Sequence, residues 1–207
     1  MFQANNPLHE EITDQLARAQ GLIYLFDPLR PGVGDGELQL LLRDAQRAEL
    51  QGAGQEGTPR QQLPHHVSVC VAKFDHPALF EPAMRAGWVT QDSTGSRLPR
   101  VPAHLSARFF QWLCEDFRGA TARMVRDGLA TFFHPDRISY YATSAIGYRL
   151  NPQHIFDYNN YANVEEVEGR PRICTSPEPI NVLEPLIDLE RRIHAKPGLF
   201  GPKRSGQ

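Results

Sequence analysis

The chain has 207 residues, 41% of them hydrophobic and 22% charged, with a formal net charge of -2. That is enough for one globular core, and it gives no electrostatic reason to expect DNA, RNA or an anionic membrane as a partner. No run approaches the ~20 consecutive apolar residues of a membrane span, and Met1 to Leu16 is polar and acidic rather than basic then apolar, so neither a span nor a secretory signal is read. Cys70, Cys114 and Cys174 are an odd, widely spaced set, the first two inside apolar runs, which favours buried thiols in a reducing compartment and makes cytoplasmic residence the simplest expectation.

Short apolar runs alternate with stretches of helical period, the pattern of a parallel sheet with crossover helices. Residues 7–20 read as a helix, followed by Gly21 and the strand-like run Leu22 to Phe26, which Asp27-Pro28 stops because proline cannot donate to a ladder. After a Gly/Pro turn, Leu38, Leu41, Leu42 and Ala45 recur at three- and four-residue spacing and predict a helix over 36–50. Gly52, Gly54, Gly57 and Pro59 predict a flexible surface loop over 51–64, and a second strand follows at 66–72.

A polar loop from Asp92 to Pro102 leads to two core-facing helices, one at 103–117 with Leu105, Phe109, Trp112, Leu113 and Phe117 on a stripe, the other at 120–133 with Ala122, Val125, Leu129 and Phe132. A third strand is predicted at 138–142. Residues 149–178, rich in Asn and Pro, have no clear period and read as an irregular excursion. A last helix at about 181–194 carries Leu183, Leu186, Ile187 and Ile193, and the Gly/Pro-bearing tail 196–207 is expected to be disordered. The expected architecture is one α/β domain over 1–195, three-layered, with a mostly parallel sheet of about three strands and flanking helices.

Leu22 to Phe26 has the composition of a strand buried on both faces, yet no strand precedes it. With a parallel order of first, second and third strand, its outer edge is unpaired, and an apolar edge of that kind recruits another chain. A protein partner or an upstream segment is therefore expected to cover Leu22–Phe26.

The second strand ends in Ala72-Lys73-Phe74-Asp75 and the third in Thr143-Ser144-Ala145-Ile146. Guanine presents a ring N–H beside an exocyclic amino group, and one carboxylate offers two acceptor oxygens at matching separation, so Asp75 can read that edge with two bonds. Adenine lacks the donor pair and leaves such a carboxylate unpaired. Lys73 can lay its alkyl stem on the base, the backbone N–H of Ala145 can donate to the guanine carbonyl, and Ser144 can fix the loop. Open α/β sheets bind ligands at these carboxyl ends.

The same residues carry a resemblance to the TRAFAC-type GTPases, and more narrowly to bacterial GTPase-like domains of the Rag class. The likeness covers about the C-terminal two-thirds of such a domain. Gly21 to Pro28 resembles the family's fourth strand, Ala72-Lys73-Phe74-Asp75 its Asn/Thr-Lys-x-Asp motif, and Thr143-Ser144-Ala145-Ile146 its Ser-Ala-Lys motif, while Glu178 to Leu186 resembles the end of those domains. Ala72 departs from the family's Asn or Thr and Ile146 from its lysine. No Asp-x-x-Gly switch precedes Ala72-Lys73-Phe74-Asp75, and no Gly-x-x-x-x-Gly-Lys-Ser/Thr phosphate loop occurs in the sequence.

The resemblance implies a guanine-nucleotide-binding, GTPase-like regulatory protein, truncated or degenerate and inactive alone, binding GTP or GDP at Lys73, Asp75, Ser144, Ala145 and Ile146. GTP hydrolysis, and Mg²⁺ with it, is expected only where a phosphate loop comes from upstream sequence or another chain, because positioning and electrostatics carry phosphoryl transfer. The alternative is a non-enzymatic interaction module that docks a partner on the first strand. His65, His66 and His76 lack ligand spacing, so no metal site is expected.

Overall fold

A computed structural model describes residues 7–30, 42–44, 46, 62–117 and 120–195. Its elements in chain order are α1 (Pro7–Arg18), β1 (Gly21–Phe26), β2 (His66–Val71), α2 (Pro77–Arg85), β3 (Thr90–Gln91), β4 (Pro99–Arg100), α3 (Ser106–Trp112), α4 (Ala120–Phe132), β5 (Ile138–Ala142), β6 (Val164–Val167), β7 (Arg170–Ile173) and α5 (Glu184–His194). A 3₁₀ turn, Ala103–Leu105, leads into α3, and a π turn, Leu113–Phe117, leaves it. Among the residues expected to form the 36–50 helix, 42–44 and 46 are helical. The rest of that helix, most of the 51–64 loop and the 196–207 tail lie outside the described residues.

β1, β2 and β5 form a parallel sheet in the order β1-β2-β5, with Gly21 beside His66, Phe26 beside Val71, Val67 beside Ile138 and Val71 beside Ala142. The central place of β2 follows from its composition. Its Val67, Ser68, Val69, Cys70 and Val71 are all buried, and a strand with no solvent face must be covered on both sides.

Strand periodicity assigns the two faces. On one, Phe26 and Tyr140 meet the Phe110 ring of α3, at centroid distances of 5.6 and 4.8 Å, in a core that includes Leu129 and Val125 of α4. On the other face Ser68 Oγ donates to Pro185 O at 3.1 Å, and Ser139 and Tyr141 meet Asp188 of α5. The sheet therefore lies between helices on both faces, an α/β architecture.

Three elements depart from the sequence reading. α2 forms in spite of Pro77 and Pro82: Pro77 stands in the first turn, where a missing N–H costs nothing, and His76 caps the helix by accepting from Ala78 N–H at 3.1 Å. The 149–178 excursion is built rather than irregular. Its Phe156 and Tyr161, with Tyr148 just before it, pack with Phe80 of α2, the Phe80 centroid lying 4.9 Å from both tyrosines and 6.0 Å from Phe156. It carries the antiparallel hairpin β6–β7, turned by Glu168 and Gly169 at φ 53° and 73°. Leu183, just before α5, and Leu186 and Ile187 within it remain exposed, whereas Pro185 and Leu189 are buried.

Candidate functional site

Parallel pairing brings the ends of β2 and β5 to one edge of the sheet, and specific hydrogen bonds join the loops that leave them. Thr143 donates to Val71 O through its N–H at 2.8 Å and its Oγ1 at 3.1 Å. Phe74 N–H in turn donates to Thr143 O at 3.0 Å. The Phe74 side chain, wholly buried against Phe80 and Phe109, pins the middle of the 73–75 turn. Lys73, Asp75, Ser144, Ala145 and Ile146 thus lie on two neighbouring loops at the carboxyl end of the sheet.

Lys73 adopts φ +59°, a left-handed conformation uncommon for a residue with a side chain. Its Nζ lies 2.7 Å from Asp27 Oδ2 at the end of β1. Asp27 also accepts from Leu29 N–H at 3.0 Å. Burial by itself raises the Asp27 pKa, but the hydrogen bonds from Lys73 and Leu29 and the charges of Lys73 and Arg30 outweigh it and hold the carboxyl below 3.8. Asp27, which the sequence marks only as a strand stop, is tied to the 73–75 turn by this ion pair. The one signal for it was its place at the end of a neighbouring parallel strand.

Asp75 is half-buried, and its carboxylate has no hydrogen-bond or ion-pair partner among the described residues. Close to it lies Tyr148, fully buried, whose hydroxyl makes no hydrogen bond among the described residues. Burial first, and the Asp75 charge second, push the Tyr148 hydroxyl well above its ordinary value of 10.0. This pair, too, was invisible in the sequence.

Ser144 organises the second loop. Its backbone exchanges hydrogen bonds with Ile180, N–H to O at 3.0 Å and O from N–H at 2.8 Å, and its Oγ accepts from the N–H groups of Ile146 at 3.2 Å and Gly147 at 2.7 Å. Ala145 at the tip is exposed, and its N–H has no partner among the described residues. Ile146 is half-buried beside it. The two neighbouring loops therefore carry a carboxylate, able to accept from two donors, and a backbone donor, both without a hydrogen-bond partner among the described residues.

Among the described residues no group of three or more His, Cys, Asp and Glu side chains could hold a metal ion, and no helix is long and apolar enough to cross a membrane. Comparisons with protein-family models, with curated proteins and with solved structures found no match.

Proposed function

We propose that this chain is the base-reading part of a guanine-nucleotide-binding regulatory domain, equivalent to the C-terminal part of a Ras-like GTPase fold and inactive in hydrolysis by itself. The observation that carries the reading is the Phe74 N–H to Thr143 O bond, which seats the loops bearing Asp75 and Ala145 side by side while both groups stay unengaged. Asp75 accepts from the guanine ring N–H and amino group, Ala145 N–H donates to the guanine carbonyl, and Ile146 and the Lys73 stem flank the base. The Lys73–Asp27 ion pair holds that stem across the strand ends. GTP hydrolysis, with Mg²⁺, follows where another segment or chain supplies a phosphate loop. A reducing, cytoplasmic setting belongs to the same reading, supported by three cysteines that are all free thiols.

Calorimetric titration with GDP, GTP and ADP tests this. Guanine nucleotides should give saturable heat and ADP none, and Asp75→Ala should lose about 1–3 kcal/mol of guanine binding, the cost of unmaking charged hydrogen bonds. Equal heats for GDP and ADP, or selectivity that survives in Asp75→Ala, would overturn the reading.

A second reading rests on β1. Leu25 is 70% and Ile23 44% exposed, and no described strand pairs with the outer edge of β1. A protein partner or an upstream segment covering Leu22–Phe26 accounts for that surface without any nucleotide. Guanine-selective heat from the isolated chain would argue against this being the sole role.

A further inference from the structure

The 149–178 excursion encloses a second candidate site that the base-reading proposal does not use. The chain on either side of it, 149–156 and 174–178, faces across a cavity of about 420 Å³, within the ~300–1,000 Å³ range of small-molecule sites. Both walls are fixed by hydrogen bonds. On the first, Arg149 N–H donates to Tyr161 O at 2.7 Å, and Asn151 Oδ1 accepts from the N–H groups of Gln153 at 3.0 Å and Ile155 at 2.9 Å. On the second, Asn163, only 2% exposed, accepts on Oδ1 from Thr175 N–H at 2.9 Å and Thr175 Oγ1 at 2.8 Å. Glu178 N–H donates to Ile146 O at 3.0 Å.

The lining is polar and uneven in charge. Arg149 is half-buried with no carboxylate partner among the described residues. Glu178, the acidic residue of the lining, lies instead toward His154, whose Nδ1 is 3.8 Å from Glu178 Oε1. Asn160 and Ser176 add side-chain donors that bond to nothing among the described residues. The Thr175 hydroxyl proton is committed to Asn163, so its oxygen is left as an acceptor. A guanidinium with five N–H donors in a rigid fork is matched by a two-oxygen anion, and acceptors on the facing wall are matched by ligand hydroxyls.

We propose that this cavity binds a small hydroxylated ligand bearing a phosphate or carboxylate, with Arg149 holding the anionic group and Thr175 and Glu178 accepting from its hydroxyls. The cavity shares one main-chain bond with the base-reading loops, Glu178 N–H to Ile146 O, but none of its lining residues is one of the base-reading residues.

The test is an amide-resonance titration of the isotope-labelled full chain with inorganic phosphate, with glycolate, and with glycerol as the uncharged control. Saturable shifts confined to 149–154 and 174–178 are expected with at least one of the two anions and not with glycerol. Response to phosphate alone assigns the ligand to the phosphate class, and response to both assigns it to oxyanions generally. Arg149→Gln should weaken the response at least tenfold while the spectrum outside the excursion overlays that of the parent.

If Arg149→Gln disturbs the fold, Arg149→Lys takes its place, keeping the charge and losing the fork, and it should weaken binding several-fold. No saturable shift, or binding that Arg149→Gln or a folded Arg149→Lys leaves at full strength, overturns the proposal. Asp75→Ala should leave the response unchanged, so the two sites fail or stand independently.

Discussion

At Gly147 the chain turns with φ +72°, and a Cβ built there would lie 1.9 Å from the backbone oxygen of Glu178. No side chain can yield to relieve that contact, because the obstructing atom belongs to the main chain that accompanies the Ile146–Glu178 and Ser144–Ile180 bonds. Gly147→Ala should therefore destabilise the protein by on the order of 2 kcal/mol or more, combining left-handed strain with the clash, as read from urea unfolding. It should also disturb the Ala145 tip. Tyr148→Phe is the contrasting case next door. It removes a buried hydroxyl that has no hydrogen-bond partner among the described residues, so stability should hold or rise by about 1 kcal/mol.

The buried thiols give a pH signature at the same scale. Burial pushes Cys70 up to about 11 and Cys114 to about 12, from an ordinary 9.0. Above pH 9 the unfolded chain releases these protons while the folded chain keeps them, so the unfolded state binds fewer protons and stability falls as pH rises. The contribution is intact below about 9 and declines from there toward 11 and 12. Unfolding midpoints measured from pH 8 to 10 should drop, and the slope should flatten in Cys114→Ala. In thiol titration of the folded protein, half-buried Cys174 should react well before the other two.

Among the elements, the three parallel strands were legible as short runs rich in β-branched, aromatic and other apolar residues, of which only β1 ends in a proline breaker, and the order β1-β2-β5 leaves β1 at the edge although its composition reads as that of a strand buried on both faces. α2 was not legible: its two prolines mask a short apolar face formed by Leu79, Phe80 and Ala83. The β6–β7 hairpin was hidden because its four-residue strands are exposed and mix charge with isolated apolar residues. The placement of the five site residues on two loops at one sheet edge followed from parallel pairing, whereas Asp27 and Tyr148 joined them only through contacts between segments distant in sequence.

α5 shows why an apolar stripe alone can mislead. Its attachment to the sheet is partly polar, through Tyr141 OH to Asp188 Oδ2 at 2.6 Å and Arg192 Nη1 to Ser139 Oγ at 2.7 Å. Asp188→Ala would leave the Tyr141 hydroxyl and the Arg192 guanidinium without that carboxylate. The expected loss is about 1–3 kcal/mol, with faster amide hydrogen exchange confined mainly to α5.

For the whole molecule, the decisive asymmetry is that β2 is covered on both faces while β1, built from the same kind of residues, is not. Adjacent positions of β1 separate the two environments: Leu22 packs against the core, whereas Ile23 and Leu25 are on the α5 side of the sheet and stay exposed. Because side chains alternate along a strand, a charge should be tolerated at one position and not at its neighbour. Leu25→Lys puts an ammonium where the side chain is 70% exposed, so unfolding stability should stay within ~0.5 kcal/mol of the parent, while binding of an apolar dye and concentration-dependent light scattering should fall. Leu22→Lys should instead cost several kcal/mol, since it drives a charge into apolar packing. If Leu25→Lys leaves dye binding and scattering untouched, the exposed face of β1 is not the adhesive surface, and the docking reading loses its support whatever the nucleotide titrations show.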